Sequence, residues 1–205
     1  MKGGHKPPVA IIQGYGAPTF TNLPIKLRLQ NDHFQVFDVP LPGLNTQDIR
    51  HSAQTVADTV LSLQKKTGAP KLDLIGVSMG GLIGLYYIRK LEGVKHIRRF
   101  ISLGTPFYGT TFASIAHFIS GQSAPGAEQM RIGSDFMREL HEQEPTADCE
   151  VVSILARGDL FVTKKSAHLR GSKLILSPHG DSPLGHYSPI IYRRNYEISK
   201  EELLR

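Results

Sequence analysis

Tryptophan is absent from this 205-residue chain, and cysteine occurs once, at Cys149. A lone cysteine excludes an intrachain disulfide. Its flanks have no metal-ligand spacing, so it reads as a structural thiol on a strand. No apolar run approaches the roughly 20 residues that cross a bilayer. No secretory leader is visible either: Met1-Lys2-Gly3-Gly4-His5-Lys6-Pro7-Pro8 runs straight into a strand pattern. The chain therefore reads as soluble, cytoplasmic as it stands, or secreted if a leader once preceded it. There is no internal repeat or low-complexity tract, which leaves a single domain, 1–205, as the expectation. The formal net charge of +6 makes the surface basic. The pairs Arg98-Arg99, Lys164-Lys165 and Arg193-Arg194 are scattered, without aromatic interleaving, so nucleic acid is not an expected partner. What is left is a weak preference for anionic surfaces, lipid–water interfaces included.

The apolar pattern that is present alternates between two periods. Val9–Ile12, Phe34–Val39, Leu72–Val77, Ile97–Leu103, Glu150–Ala156 and Lys173–Leu176 read as strands. Between the second and third, Ile49, Ala53, Val56, Ala57, Val60 and Leu63 share one helical face, capped by Asn45 or Thr46 and stopped by Gly68-Ala69-Pro70. Leu82, Ile83, Leu85, Tyr86, Tyr87, Ile88 and Leu91 form a helix that is apolar nearly all round, hence buried. A final helix is expected over about Pro189 to Leu204. Strands alternating with helices imply an α/β fold, with a small, mostly parallel sheet of about six strands covered on both faces. The stretch 107–147 has no strand pattern. Phe112, Ile115, Ala116, Phe118 and Ile119 have helical spacing, and Gly121-Gln122-Ser123-Ala124-Pro125-Gly126 breaks it. Ile132, Phe136, Met137 and Leu140 suggest a second helix capped by Ser134. This insertion fits a cap or lid, and equally a plain helical crossover.

The chemistry centres on Leu72-Asp73-Leu74-Ile75-Gly76-Val77-Ser78-Met79-Gly80-Gly81. A strand pattern ends in Gly-x-Ser-x-Gly, and a helix pattern begins at once, which is the context of a nucleophile elbow. Strand and helix nearly touch at such a turn, so Gly76, Gly80 and Gly81 are expected to be sterically required. Asp73 lies inside the strand and reads as structural.

A serine hydroxyl needs a base, and the base needs an orienting acid. In a parallel sheet both should stand on loops after later strands, at the edge where Ser78 sits. Asp159, just past the strand ending at Ala156, and His186, between the last strand and the last helix, satisfy this. His179 and Asp181 in the same late loop are the weaker candidates, because a longer reach over the sheet edge is usual for the histidine. The remaining histidines are scattered without metal-ligand spacing. An oxyanion hole needs the N–H after the nucleophile, that of Met79, and one from the loop after the first strand. That loop is Gln13-Gly14-Tyr15-Gly16, and the Tyr15 backbone N–H is the natural donor.

With these residues in place, the chain resembles the bacterial triacylglycerol lipase/esterase family of α/β-hydrolases. The resemblance runs from about Val9 to the end. It rests on Gly14-Tyr15-Gly16, the Gly76–Gly81 elbow, Leu103-Gly104-Thr105-Pro106-Phe107-Tyr108-Gly109-Thr110, and the Asp159 and His186 segments. Met130-Arg131-Ile132-Gly133-Ser134-Asp135-Phe136 also looks like the family's segment beneath the cap. Gln13 and Val77 stand where the family usually has histidine. The resemblance implies a carboxylic-ester hydrolase acting on an acyl ester of a lipid or small alcohol, with no metal or organic cofactor. An acyltransferase, thioesterase or amidase would use the same three residues. A catalytically silent binding protein on the same fold is the third alternative.

Overall fold

The structure, a computed structural model, describes residues 6–111, 124–142, 149–178 and 185–205. Its strands are β1 (Val9–Ile12), β2 (Val36–Asp38), β3 (Leu72–Val77), β4 (Ile97–Leu103), β5 (Glu150–Ala156) and β6 (Lys173–Ser177). They form one sheet in the order β2-β1-β3-β4-β5-β6, and every pair is parallel. The sheet is wound outward in both directions from the β1/β3 boundary. That boundary is its switch point, and the loops after β1 and β3 open side by side there.

Side-chain alternation along the strands builds a core on each face. Ala10, Ile12, Leu72, Leu74 and Phe100 pack against helices α2 (Ile49–Thr67) and α3 (Met79–Lys90). Val9, Ile11, Ile75, Val77, Ile101 and Leu103 pack on the other face, with Ile25, Leu29, Ile190, Tyr196 and Leu203. Each large apolar side chain so buried stabilises the fold by about 1.5–3 kcal/mol. The six residues of the α2 stripe are all buried, as their spacing requires. Asp48 caps this helix by accepting from Arg50 N–H at 2.7 Å, in place of Asn45 or Thr46, and Gly68 ends it at φ 71°. Neither displaced candidate stands at the cap: the Thr46 carbonyl accepts from Gly126 N–H at 3.1 Å, and the Asn45 side chain turns to the loop after β1, its Nδ2 donating to the Gln13 carbonyl at 2.8 Å.

Other expectations shift for local reasons. The stretch between Pro18 and Phe34, unassigned by periodicity, holds a 3-10 turn (Thr19–Asn22) and helix α1 (Leu23–Asn31). Leu23, Ile25, Leu27 and Leu29 alternate with period two, which masks the buried helical pair Ile25 and Leu29. Pro24 falls in the first turn, where it is tolerated. β2 starts at Val36 because Phe34 N–H is still bonded to the Leu29 carbonyl of α1, at 3.0 Å. Of 107–147, residues 112–123 and 143–147 are outside the described residues, and with them the helix expected over 112–119. The described part contains helices α4 (Pro125–Gln129) and α5 (Asp135–His141), and the Ser134 hydroxyl caps the second by accepting from Met137 N–H at 3.1 Å. After β5 a short helix α6 (Lys164–Ala167) leads to β6.

The expected C-terminal helix is two, α7 (Ser188–Ile191) and α8 (Arg193–Leu204), broken where Tyr192 turns extended at ψ 131°. The Arg28 guanidinium accounts for the break, donating to the carbonyls of Ile190 and Ile191 at 3.0 and 2.7 Å. Asp73 is fully buried and paired bidentately with Arg98 at 2.9 and 2.6 Å; burial raises its pKa against that pull. Cys149 lies one residue before β5, buried, and burial pushes its thiol up to about 12.

The closest backbone approach joins α3 to the sheet. A Cβ added at Gly80 would lie 2.4 Å from the Ile12 carbonyl oxygen and 2.7 Å from that of Gln13, neither of which can swing away. Gly80→Ala is therefore expected to cost about 1–3 kcal/mol by overpacking, read as a lower urea midpoint with unchanged slope.

Candidate active site

β3 ends at Val77 and α3 begins at Met79, so one residue makes the turn. That residue, Ser78, sits at φ 51° and ψ −120°, a region L-residues rarely enter. Its backbone is held from three directions. Ser78 N–H donates to the Leu103 carbonyl at 2.8 Å, and its carbonyl accepts from Gly81 N–H at 2.9 Å and from the Thr105 hydroxyl at 3.0 Å. A Cβ at Gly76 would lie 2.6 Å from Gly81 Cα, so the expected steric need for small residues here is met.

Asp159 and His186 come from the loops after β5 and β6 and are paired. His186 Nδ1 and Asp159 Oδ2 are 2.7 Å apart, and both side chains are almost wholly buried. The other carboxylate oxygen accepts from the N–H groups of Phe161 and Val162 at 2.8 and 2.9 Å. A carboxylate so anchored is the acceptor, which assigns the proton to Nδ1 and leaves the Nε2 lone pair available. His186 stands in a 3-10 turn (Gly185–Tyr187), flanked edge-on by Phe161 and Tyr187 at 5.4 and 5.3 Å between centroids. The competing residues His179 and Asp181 lie outside the described residues.

Ser78 and His186 line one cavity of about 150 Å³. Its wall is completed by Tyr15 from the loop after β1, Pro106 and Thr110 from the loop after β4, Met130, and Phe161, Val162 and Tyr187. The lining is mostly apolar. No hydrogen bond joins Ser78 to His186 in this structure; such contacts commonly tighten only when substrate is bound. Of the two backbone donors expected for an oxyanion, Met79 N–H is the first of α3 and so has no helical acceptor. Tyr15 belongs to a loop pressed against the serine: a Cβ at Gly14 would lie 3.2 Å from Ser78 Cβ. Gln13 is buried with its amide oxygen unpartnered, and Val77 is buried in the strand core, so the two departures from the resembled family both point into the protein.

One residue of this region escapes sequence reasoning. Asn45 is fully buried at φ 52°, and its amide donates to the carbonyls of Gln13 and Gly14 at 2.8 and 3.3 Å. Its place before a helix pattern suggests a cap and conceals this.

Residues 43–178 match the family described as alpha/beta hydrolase of unknown function (DUF915). Solved structures similar to the chain include the lipase BlEst2 of Bacillus licheniformis in two forms. The propeptide form has a TM-score of 0.83 at 17% identity, over 98% of this chain and 50% of that one. The mature form has a TM-score of 0.78 at 16% identity, over 98% of this chain and 93% of that one. The lipase B of Aspergillus fumigatus has a TM-score of 0.69 at 18% identity, over 85% of this chain and 45% of that one. At such identities the likeness establishes a shared fold.

Gly104 supplies a direct test of the His186 geometry. It sits at φ 61°, and a Cβ there would lie 3.1 Å from His186 Cε1 and 3.4 Å from Asp159 Oδ2. Proton NMR of the native chain is expected to show a low-field, exchange-protected Nδ1–H resonance from His186. Gly104→Ala is expected to shift or abolish it while the sheet's amide spectrum persists.

Proposed function

The chain belongs to the DUF915 family of α/β-hydrolases, and from that premise we propose that it is a serine carboxylic-ester hydrolase working through an acyl-enzyme on Ser78. The observation that carries this reading is the buried Asp159–His186 pair opening onto the same cavity as a serine in a strained strand-to-helix turn. In the proposed reaction, Ser78 Oγ attacks the ester carbonyl as His186 Nε2 takes its proton. Asp159 holds the imidazole in the correct tautomer and stabilises the imidazolium. The N–H groups of Met79 and Tyr15 receive the tetrahedral oxyanion, and the positive end of α3 favours it. His186 then protonates the leaving alkoxide. A water molecule, deprotonated by His186, attacks the acyl-enzyme, and Ser78 regains its proton as the acid departs.

The proposed substrate class is an acyl ester of a lipid or a small alcohol. The apolar cavity wall supports this, as do the exposed apolar side chains beside it. Leu160, next to Asp159, is 76% exposed, and Ile132, against Gly109, is 62% exposed. Together with the basic surface they suit a lipid–water interface. We assign 107–147 as a cap on the hydrolase domain, since its described part supplies Thr110 and Met130 to the cavity.

Ser78→Ala is expected to lower kcat for p-nitrophenyl acetate by roughly 10⁵-fold or more, and Asp159→Asn by about 10⁴-fold, since the wrong imidazole tautomer is then favoured. Circular dichroism should show both variants folded. Wild-type turnover in Ser78→Ala would refute the assignment. Hydrolysis of thioesters or amides in preference to esters would redirect it to those substrates.

A further inference from the structure

We propose that Asn45 is a positioning residue for the oxyanion hole, acting through the Gly14–Tyr15 peptide; this rests on the serine-hydrolase reading above. Three unfavourable features meet at this one side chain. It is fully buried, its backbone is left-handed at φ 52°, and its Oδ1 has no hydrogen-bond partner. A buried unpaired oxygen costs free energy, and a left-handed backbone is uncommon outside glycine, though asparagine adopts it more readily than other residues; such features concentrate where the surroundings demand a particular geometry. What Asn45 provides in return is two hydrogen bonds from Nδ2, to the Gln13 carbonyl at 2.8 Å and the Gly14 carbonyl at 3.3 Å. Two carbonyl acceptors also decide which end of the amide faces them, since only the nitrogen can donate.

The second bond is the important one. The Gly14 carbonyl and the Tyr15 N–H belong to the same peptide unit. That unit is planar and trans, so the two groups point in opposite directions. Drawing the carbonyl toward Asn45 therefore turns the Tyr15 N–H away from it. The same loop abuts Ser78, with the Gly14 Cβ position 3.2 Å from Ser78 Cβ and 3.9 Å from its Oγ. Tyr15 itself lines the cavity. Asn45 thus fixes the rotation of the peptide whose N–H is the second oxyanion donor. It never touches the substrate. The Gln13 side chain does not supply this hold: its amide nitrogen donates to the Thr19 hydroxyl at 3.5 Å.

The two halves of the role separate by mutation. Asn45→Gly keeps the left-handed backbone at no steric cost and removes the amide. Asn45→Asp keeps the side-chain shape and places a carboxylate against two carbonyl oxygens. Both variants and the wild type would be assayed with p-nitrophenyl acetate across pH, with near-UV circular dichroism as the check on folding. The expected result is a fall in kcat of about tenfold to hundredfold in each variant, as for a displaced oxyanion donor. KM should change by less than about threefold, and the pH profile should keep its wild-type shape, because the Asp159–His186 pair is untouched. Wild-type kcat in Asn45→Gly would overturn the proposal, as would a loss confined to KM or a collapse of the fold in both variants. An inactive wild type would instead sink the hydrolase reading itself.

Discussion

Where α3 meets the sheet, backbone approaches backbone with no side chain between them. The Gly80 Cβ position lies 2.4 Å from the Ile12 carbonyl oxygen, and that of Gly76 lies 2.6 Å from Gly81 Cα. This contact leaves a single residue to turn the chain from β3 into α3, and it forces Ser78 to φ 51°. Such a backbone costs on the order of 1–3 kcal/mol. Three hydrogen bonds, from Ser78 N–H and to its carbonyl, offset it at about 1 kcal/mol each. The strain is therefore affordable, and the side chain is held clear of both elements, at the cavity.

The rest of the site follows from the winding of the sheet. Because the strand order diverges between β1 and β3, the Gln13–Gly16 loop must lie beside Ser78. Loops after β4, β5 and β6 reach the same edge from the other side. They bring Pro106, Asp159 and His186 to it although these residues are far apart in the chain. Both oxygens of the Asp159 carboxylate are engaged, one by His186 and the other by the Phe161 and Val162 N–H groups, so its loop and the imidazole are held as a unit. Gly104, at φ 61°, gives that unit room.

Features that depend on apolar period or on steric exclusion were legible in the chain itself. All six strands, the α2 stripe, the buried α3 and the glycines of the turn belong to this class, because each is written as a run of residue types at fixed spacing. So was the pairing of Asp159 with His186, since strand order and loop position constrain it. Features that depend on where one side chain finds its hydrogen-bond partner were not. Asn45 precedes a helix and looks like its cap, yet its amide is taken by carbonyls over 30 residues away, and Asp48 caps instead. The break at Tyr192 is set by Arg28, more than 160 residues distant. Helix α1 was hidden because its leucines and isoleucine alternate as they would in a strand.

The likeness to solved lipases shows a fold, and a fold hosts many chemistries. What distinguishes a working serine hydrolase from a silent one is whether the hydroxyl at the turn is nucleophilic. Labelling of the native chain with a fluorophosphonate, followed by peptide mass spectrometry, measures this directly. The account predicts one adduct per chain, on Ser78, and none after unfolding in urea. An unlabelled protein, or an adduct on another residue with Ser78 unmodified, would contradict it.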